Sequence, residues 1–369
     1  MLHVKKHRYH CKSCGFNITE DIPYQMDDHK VTTQMHTYIC DLLSMGFNLT
    51  EVKYITKVGI NVIKDIDKKR LEKLYTQCDE NGERTITPPT EYGQYLGIDE
   101  FLLHEGRHYA TVIMDLMTGH VLYLQRTKKK DVVYQFMNWV GDDWMKHVEA
   151  VASDMNADFS KAFQERYPEI KVVYDYFHIK KNFLDKVINA IRKDEIRRLT
   201  EEGRNEEAAS LKGCKYILLA NRTTLQRNDG TVGDVTERAS SMFGSTPAKQ
   251  KRNLEEVYDR IIQENRLIMT ADYVKEMLDY SFSCTDRKLM SRAIGQIIAV
   301  CYATRNKHFK WFGNLLKNHR DGILTHAELK LSSGKVEGTN RKIKTIRWKA
   351  YGFKDDDYFF LKIIDSTRA

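Results

Sequence analysis

The stretch that decides the fold is YLGIDEFLLHEGRHYATVIMDLMTGHVLYLQ, residues 95–125. It contains three runs rich in β-branched and aromatic residues, and turn residues around Gly106 and Gly119 separate them. The three runs are 95–101, 107–115 and 120–125. Apolar runs of this length, joined by short turns, predict a three-stranded antiparallel meander.

Helix and strand patterns alternate after this stretch. The predicted elements are a helix over 133–148, a strand over 150–153, a helix over 156–166, a strand over 170–174 and a helix over 179–199. Three strands followed by alternating helices and strands predict the α/β fold class, with a mixed sheet and helices on both faces. Ribonuclease-H-like nuclease cores are similar in the order of their elements.

A small helical unit precedes the sheet. Gly46 is predicted to end its first helix, Thr50 to cap a second and Asn61 to cap a third. Two short helices joined by a Gly-containing turn are typical of a helix-turn-helix, in which the second helix lies in the DNA major groove. Asn61 and Lys64 are then expected to contact DNA. An ordinary three-helix packing unit has the same periodicity, and this alternative stays open.

After residue 200 the strand patterns disappear. Helical patterns continue to about residue 325, interrupted by a Gly-, Ser- and Thr-rich stretch over 228–247. They predict an all-helical insertion, in which Trp311 and Phe312 are expected to form a core aromatic pair rather than to stack on a base. A last helix, 334–349, has an apolar stripe and a dense basic remainder.

Composition and charge restrict the function classes. The chain has 369 residues, and no apolar run approaches the roughly 18 residues of a membrane span. No membrane partner and no secretory signal are therefore expected. Seven cysteines, an odd number, argue against a disulfide framework and favour a reducing compartment.

The net charge of +8 is concentrated in two places. Residues 1–12 carry four basic side chains and no acid, and residues 330–354 carry eight against one acid, Glu337. Such patches are typical of nucleic-acid binding, although solvated lysine-rich faces give the same count. The residues expected to contact DNA in the second patch are Arg341, Lys342, Lys344, Arg347 and Lys349.

Three acids stand out by their position. Asp99 lies within the first predicted strand, which is apolar, and Asp154 follows the fourth predicted strand, 150–153. Glu337 is the only acid of a basic helix. Asp154 as a helix cap and Glu337 as a partner of Arg341 are the structural alternatives. Carboxylates that converge on one sheet edge would hold Mg²⁺ or Mn²⁺, and two such ions about 3.5–4 Å apart catalyse phosphoryl transfer.

Four segments resemble the DDE transposases of the ISL-three insertion-sequence family. They are YLGIDEF (95–101), VASDMN (151–156), VYDYFHIKK (173–181) and KVEGTNRKIKTIRWKAYGF (335–353). The resemblance implies a bacterial transposase with a ribonuclease-H-like core, and a catalytic, metal-binding triad of Asp99, Asp154 and Glu337. Asp175 and His178 resemble the Asp-x-x-His element of related transposases and are expected near the site. A helix start with a satisfied histidine is the structural alternative for this pair.

The resemblance also implies the organisation of the chain and its partners. The expected segments are a partial zinc-ribbon-like segment (1–30), a helix-turn-helix DNA-binding region (31–78), a linker (79–93), the first part of the catalytic core (94–199), the helical insertion (200–328) and the last part of the core with Glu337 (329–369). The expected partners are double-stranded DNA, as terminal repeats and as target, and a second copy of the chain. The expected location is the bacterial cytoplasm, on the nucleoid.

The front of the chain departs from the family. Cys11-Lys-Ser-Cys14 is a zinc knuckle, but no second Cys-x-x-Cys pair precedes it, and a structural zinc site needs four ligands. Either His3, His7 or His10 substitutes, or the upstream half is missing and zinc is not bound. The second interpretation is favoured here, which predicts an N-terminal truncation.

The predicted function is therefore an Mg²⁺- or Mn²⁺-dependent DNA transposase that cleaves insertion-sequence ends and joins them to target DNA. The alternative is a catalytically inactive, transposase-derived DNA-binding regulator, for which the incomplete zinc knuckle argues and against which the three acids argue. A structure-specific nuclease on the same core is a third hypothesis.

Overall fold

The structure is a computed structural model that describes residues 3–78, 82, 84–106, 108–127, 129–155, 157–230, 253–331, 334–350 and 352–368. The strands are β1 (Arg8–His10), β2 (Asn17–Thr19), β3 (Thr76–Cys78), β4 (Arg84–Ile86), β5 (Tyr95–His104), β6 (His108–Asp115), β7 (Val121–Gln125), β8 (Ala150–Ser153) and β9 (Lys171–Tyr174).

The helices alternate with the later strands and then continue without them. They are α1 (Thr33–Ser44), α2 (Leu49–Thr56), α3 (Ile60–Tyr75), α4 (Asp131–Val140), α5 (Asp142–Met145), α6 (Ala157–Arg166), α7 (Tyr176–Phe183), α8 (Asn189–Glu201), α9 (Asn205–Gly213), α10 (Lys215–Leu219), α11 (Arg222–Gly230), α12 (Leu254–Glu264), α13 (Arg266–Ser283), α14 (Arg287–Ala303), α15 (Lys307–Asn318), α16 (Arg320–Leu329), α17 (Gly334–Lys349) and α18 (Asp356–Arg368). Within the described ranges, no helix has the length and apolar character needed to cross a bilayer.

Five strands form one mixed sheet in the order β7-β6-β5-β8-β9. β5 and β8 pair in parallel, and so do β8 and β9. Turns of a few residues join β5 to β6 and β6 to β7, and sheet neighbours joined so closely run antiparallel, because a parallel pair needs a long crossover. The predicted meander and both following strands are confirmed, with β5 extended to His104.

The chain divides into two compact units. Unit 1 comprises Met1–Tyr92, Val112–Arg126 and Val336–Ala369, and unit 2 comprises Gly93–Thr111 and Thr127–Lys335. Each unit buries its own apolar core.

The core of unit 1 begins with helices α1, α2 and α3, which pack through Ile39, Leu43, Val52 and Ile63 among others. The three predicted helices are confirmed, but two of the predicted caps are wrong. Asn48 caps α2, because its side chain accepts hydrogen bonds from the backbone N–H groups of residues 50 and 51, so Thr50 lies inside the helix.

The second wrong cap is at the start of α3. A left-handed residue, Lys57 with φ 62°, ends α2, and Gly59 supplies the extended backbone from which α3 begins. Asn61 therefore lies in the first turn of α3 and leaves its side chain exposed.

Small antiparallel hairpins flank the three helices. β1 pairs with β2, and β3 pairs with β4. β4 lies within residues 79–93, so a strand occupies part of the segment for which the sequence predicts a linker.

An ion network joins α3 to α18 within unit 1. The carboxylate of Asp67, which has no exposed surface, accepts hydrogen bonds from the Tyr358 hydroxyl at 2.6 Å and from Lys362 Nζ at 2.9 Å. Arg70 donates to the same carboxylate at 3.0 Å. A buried carboxylate is costly unless it is paired in this way, so the network specifies how α18 sits on α3.

Unit 2 is helical beyond β9. The predicted helix over 179–199 is present as α7, a π-helical turn (Leu184–Ile188) and α8. The described residues from there to Leu329 contain helices and no strand, as the sequence predicts. The part of the Gly-, Ser- and Thr-rich stretch that follows residue 230 lies outside the described residues. The predicted helix over 133–148 is wrong in one respect, since Gly141, with φ 82°, separates α4 from α5.

Helix α16 approaches β9 more closely than a side chain would allow. A Cβ atom added to Gly322 would lie 2.5 Å from Cε2 and 2.6 Å from Cδ2 of the Tyr174 ring, and 3.3 Å from the Val172 carbonyl oxygen. The carbonyl belongs to the sheet and cannot move away, and the ring is buried. Glycine is therefore required at this position for the helix to cover the strand.

We expect Gly322→Ala to lower the free energy of unfolding by about 1–3 kcal/mol, because the added methyl group overpacks the contact with Tyr174. Gly295→Ala is the matched control. It also lies within a helix, α14, and nothing lies within 4 Å of its added Cβ atom, so we expect an unchanged or slightly higher stability. Urea denaturation of both variants tests this, and equal effects would contradict it.

Candidate active site

Three aspartates lie at one level of three neighbouring parallel strands in unit 2, one of them within β5 and the other two directly after β8 and β9. In the strand register, Ile98 of β5 pairs with Ser153 of β8, and Ser153 pairs with Tyr174 of β9. The residues that follow these three are Asp99, Asp154 and Asp175. Because neighbouring strands lie about 4.8 Å apart, the register brings the three backbone positions together.

Asp99 and Asp154 line the same pocket, which has a volume of about 240 Å³. Its other lining residues are Ile98, Glu100, Tyr109 and Phe159. One oxygen of Asp99 accepts a hydrogen bond from the backbone N–H of Glu100 at 2.8 Å, and one oxygen of Asp154 accepts from the N–H of Met155 at 2.6 Å. These contacts orient both carboxylates locally.

His178 pairs with Asp154. The distance from Nδ1 of His178, in the first turn of α7, to Oδ1 of Asp154 is 3.3 Å. The hydrogen bond to Asp154 raises the pKa of His178 against the opposing effect of burial, and the negative charges of Asp99 and Asp175 raise it further. Burial works against ionisation of Asp154, but the hydrogen bond and charge of His178 outweigh it, so the pKa of Asp154 is lowered.

Asp175 belongs to this group as well. It is buried at the start of α7, and its side chain makes no capping hydrogen bond to that helix. The structure thus places His178 against Asp154 and Asp175 directly after the β9 residue that pairs with Ser153. Their role near a catalytic site stays a prediction.

Glu337 lies in unit 1, in the first turn of α17. One of its carboxylate oxygens accepts a hydrogen bond from Arg341 at 2.6 Å. This is the i, i+4 pairing that the sequence offers as the structural alternative for Glu337. Among the described residues, no three His, Cys, Asp or Glu side chains form a group that could hold a metal ion.

The residues expected to contact DNA are in unit 1. Lys64 is half-buried and lies 3.8 Å from a carboxylate oxygen of Asp355. Lys342 donates to the backbone carbonyl of Ser366. Four others lie in α17: Arg341, Lys344 and Lys349 are exposed, and Arg347 is half-buried.

Cys11 and Cys14 are exposed in the turn between β1 and β2. Hydrogen bonds, the largest from the Ser13 side chain, lower the pKa of Cys11 to about 6. A thiol of this kind is readily deprotonated, which is the form that binds zinc. Zinc binding by this turn stays a prediction.

The sequence comparisons identify the family. The model of the ISL3 DDE transposases, described as "Transposase", matches residues 96–363. This chain belongs to the ISL3 transposase family. It is 27% identical over 367 residues to the transposase for insertion sequence element IS1001 of Bordetella parapertussis. This alignment covers 98% of this chain and 80% of the relative. It is 25% identical over 281 residues to the transposase for insertion sequence element IS1557 of Mycobacterium tuberculosis. This second alignment covers 70% of this chain and 56% of the relative.

Four lining residues of this pocket are not among the predicted site residues. Ile98 and Glu100 are adjacent to Asp99, so their proximity follows from the chain itself. Tyr109 of β6 and Phe159 of α6 reach the pocket only through sheet order and helix packing. Trp311 and Phe312 do not form the expected core pair, since Phe312 is fully buried and Trp311 is 40% exposed.

We expect the pKa of His178 in metal-free protein to lie above the ordinary value of about 6.5, and Asp154→Asn to lower it toward that value. The stabilisation from His178 is complete below the unfolded-state pKa and is lost as the pH rises through the folded-state pKa. The contribution of Asp154 is present above about pH 3.9 and is lost as the pH falls through its own lowered pKa.

NMR titration of carbon-13-labelled histidines in the presence of EDTA measures this, with His178→Gln to assign the signal. The other histidine signals serve as the internal control. An unchanged His178 titration in Asp154→Asn would show that the two side chains are not paired in solution.

Proposed function

We propose that the protein is a DNA transposase that cleaves the ends of an insertion sequence and transfers the strand to target DNA. One observation carries the proposal: in a chain of the ISL3 transposase family, Asp99 and Asp154 lie at the same level of neighbouring parallel strands and line one pocket. Membership of the family supports DNA as the substrate.

The proposed metal ligands are Asp99, Asp154 and Glu337. Two aspartates at one sheet level that line one pocket fit a hard divalent cation such as Mg²⁺ or Mn²⁺, which prefers carboxylate oxygens. When two such ions are bound, they supply charge stabilisation to the attacking and leaving oxygens of the phosphodiester. Glu337 would exchange its ion pair with Arg341 for this role, which frees the guanidinium for a phosphate.

His178 and Asp175 are proposed as positioning residues. The imidazole holds Asp154 in one orientation and balances part of the negative charge of the aspartates while no cation is bound. The negative charge of Asp175 also raises the pKa of His178. These residues prepare the carboxylates of the pocket and do not react themselves.

The finer architecture that we propose is a ribonuclease-H-like core formed by the mixed sheet, with residues 200–328 as its helical insertion. Residues 31–78 would form a helix-turn-helix that binds the terminal repeats, with Asn61 and Lys64 toward DNA. The basic residues of α17 would contact the DNA backbone next to Glu337. Two copies of the chain would pair two element ends, on the DNA of a bacterial nucleoid.

We expect Asp154→Asn to reduce metal-dependent nicking of terminal-repeat DNA by at least about a hundredfold while DNA binding changes little, because the amide cannot supply the anionic ligand. Asp143→Asn is the matched control, since Asp143 is exposed and pairs only with Lys146 at 2.7 Å among the contacts described. Nicking with Mg²⁺ on end-labelled DNA measures both. Full activity of Asp154→Asn would refute the assignment.

A metal-specific rescue tests direct ligation. We expect Asp99→Cys to be inactive with Mg²⁺ and to regain part of its nicking activity with Mn²⁺, because the softer ion accepts a thiolate more readily. Asp99→Ala should be inactive with both ions. Equal activity of the cysteine variant with either ion would exclude Asp99 as a ligand, whereas inactivity of the unmodified chain with both ions would leave the DNA-binding regulator as the function.

A further inference from the structure

The exposed face of α17 carries one large apolar side chain, Trp348. Its side chain is 77% exposed, whereas Trp144 is 4% exposed and Trp311 is 40% exposed. Single exposed apolar residues are ordinary on protein surfaces. Trp348 differs because it lies on the exposed face of α17 among charged side chains.

Trp348 shares its helix face with charged residues. Positions 337, 341, 344 and 348 are separated by four, three and four residues, which places them along one side of an α-helix. The side chains at these positions are Glu337, Arg341, Lys344 and Trp348, and all of them are accessible. The opposite side of α17 is buried through Val336, Thr339 and Ile343. One side of α17 is thus packed against the protein, and the other side is exposed to solvent.

The charge of α17 selects the class of ligand. The helix contains six basic residues against one acid, Glu337. An apolar partner protein would gain little from such a surface, whereas a nucleic-acid strand has phosphates for the cations and a flat apolar base for the indole. Aromatic side chains between basic residues are the usual platform for unpaired bases.

We infer that Trp348 stacks on an unpaired base of the DNA end that the protein processes. The inference deepens the proposed function, because it assigns α17 a second role beside Glu337. Eleven residues separate Glu337 from Trp348, which corresponds to about 16 Å along the helix axis. One strand of DNA advances about 3.4 Å per nucleotide. The stacked base therefore lies within about five nucleotides of the phosphate nearest to Glu337.

The experiment measures binding without chemistry. Fluorescence anisotropy in EDTA and at one fixed salt concentration compares a blunt duplex with the same duplex carrying an unpaired thymidine tail of about five nucleotides. A fluorescent aminopurine base placed in the tail reports stacking directly. The variants are Trp348→Ala, Trp348→Phe and, as the matched control, Trp311→Ala, in which an exposed tryptophan of another basic helix, α15, is removed.

The unmodified protein is expected to bind the tailed duplex about tenfold more tightly than the blunt duplex and to quench the aminopurine. Trp348→Ala loses this preference and the quenching, Trp348→Phe keeps most of both, and Trp311→Ala keeps them fully. Thermal unfolding of Trp348→Ala should be unchanged, since the side chain is exposed.

Three results would overturn the inference: a preference that survives Trp348→Ala, an equal loss of binding for both duplexes, or a loss in Trp311→Ala instead. The preference for the tailed duplex is measured in EDTA and so requires no divalent ion. A failure of the metal-site proposal, which shows in nicking, is therefore distinguishable from a failure of stacking, which shows only in binding.

Discussion

The parallel register of β5, β8 and β9 is the constraint on which the candidate site depends. Ile98, Ser153 and Tyr174 are level in the sheet, and an aspartate follows each of them. Because the side-chain period of a strand is two, a slip of one residue in this register would turn a carboxylate to the other face. Apolar strand residues that are buried on both faces hold the register, so the core of unit 2 also determines the positions of the acids.

Negative charges that lie so close together need cations. The structure supplies one partner from within each unit: the imidazole of His178 for Asp154 in unit 2 and the guanidinium of Arg341 for Glu337 in unit 1. Both pairs stabilise carboxylates that the proposed function assigns to divalent metal ions. The metal-free protein is therefore organised around ion pairs that metal binding would exchange, and the strength of those pairs sets a cost for metal binding.

The C-terminal part of the chain has its main contacts with the three-helix region. The buried carboxylate of Asp67 binds Tyr358 and Lys362 of α18, and Arg70 binds Asp365 at 3.1 Å. A segment that the sequence predicts to be the last part of the catalytic core thus packs against α3. For an enzyme that must recognise a DNA end, this arrangement keeps Glu337 and the basic face of α17 in the same compact unit as the candidate DNA-binding helices.

The sequence by itself determined the order of the five strands of the sheet and of the helices between them, the membership of the family and the two aspartates of the pocket, because alternation, periodicity and short motifs are local properties of the chain. Only the tertiary structure decided that Asp175 is level with the other two aspartates, that α4 and α5 are separated at Gly141 and that Trp348 is exposed. The sequence alone does not predict these features, because each depends on which strands pair and on which side chains pack together. Tyr109 and Phe159 reach the pocket for the same reason: residues distant in the chain become neighbours only when the sheet order is set.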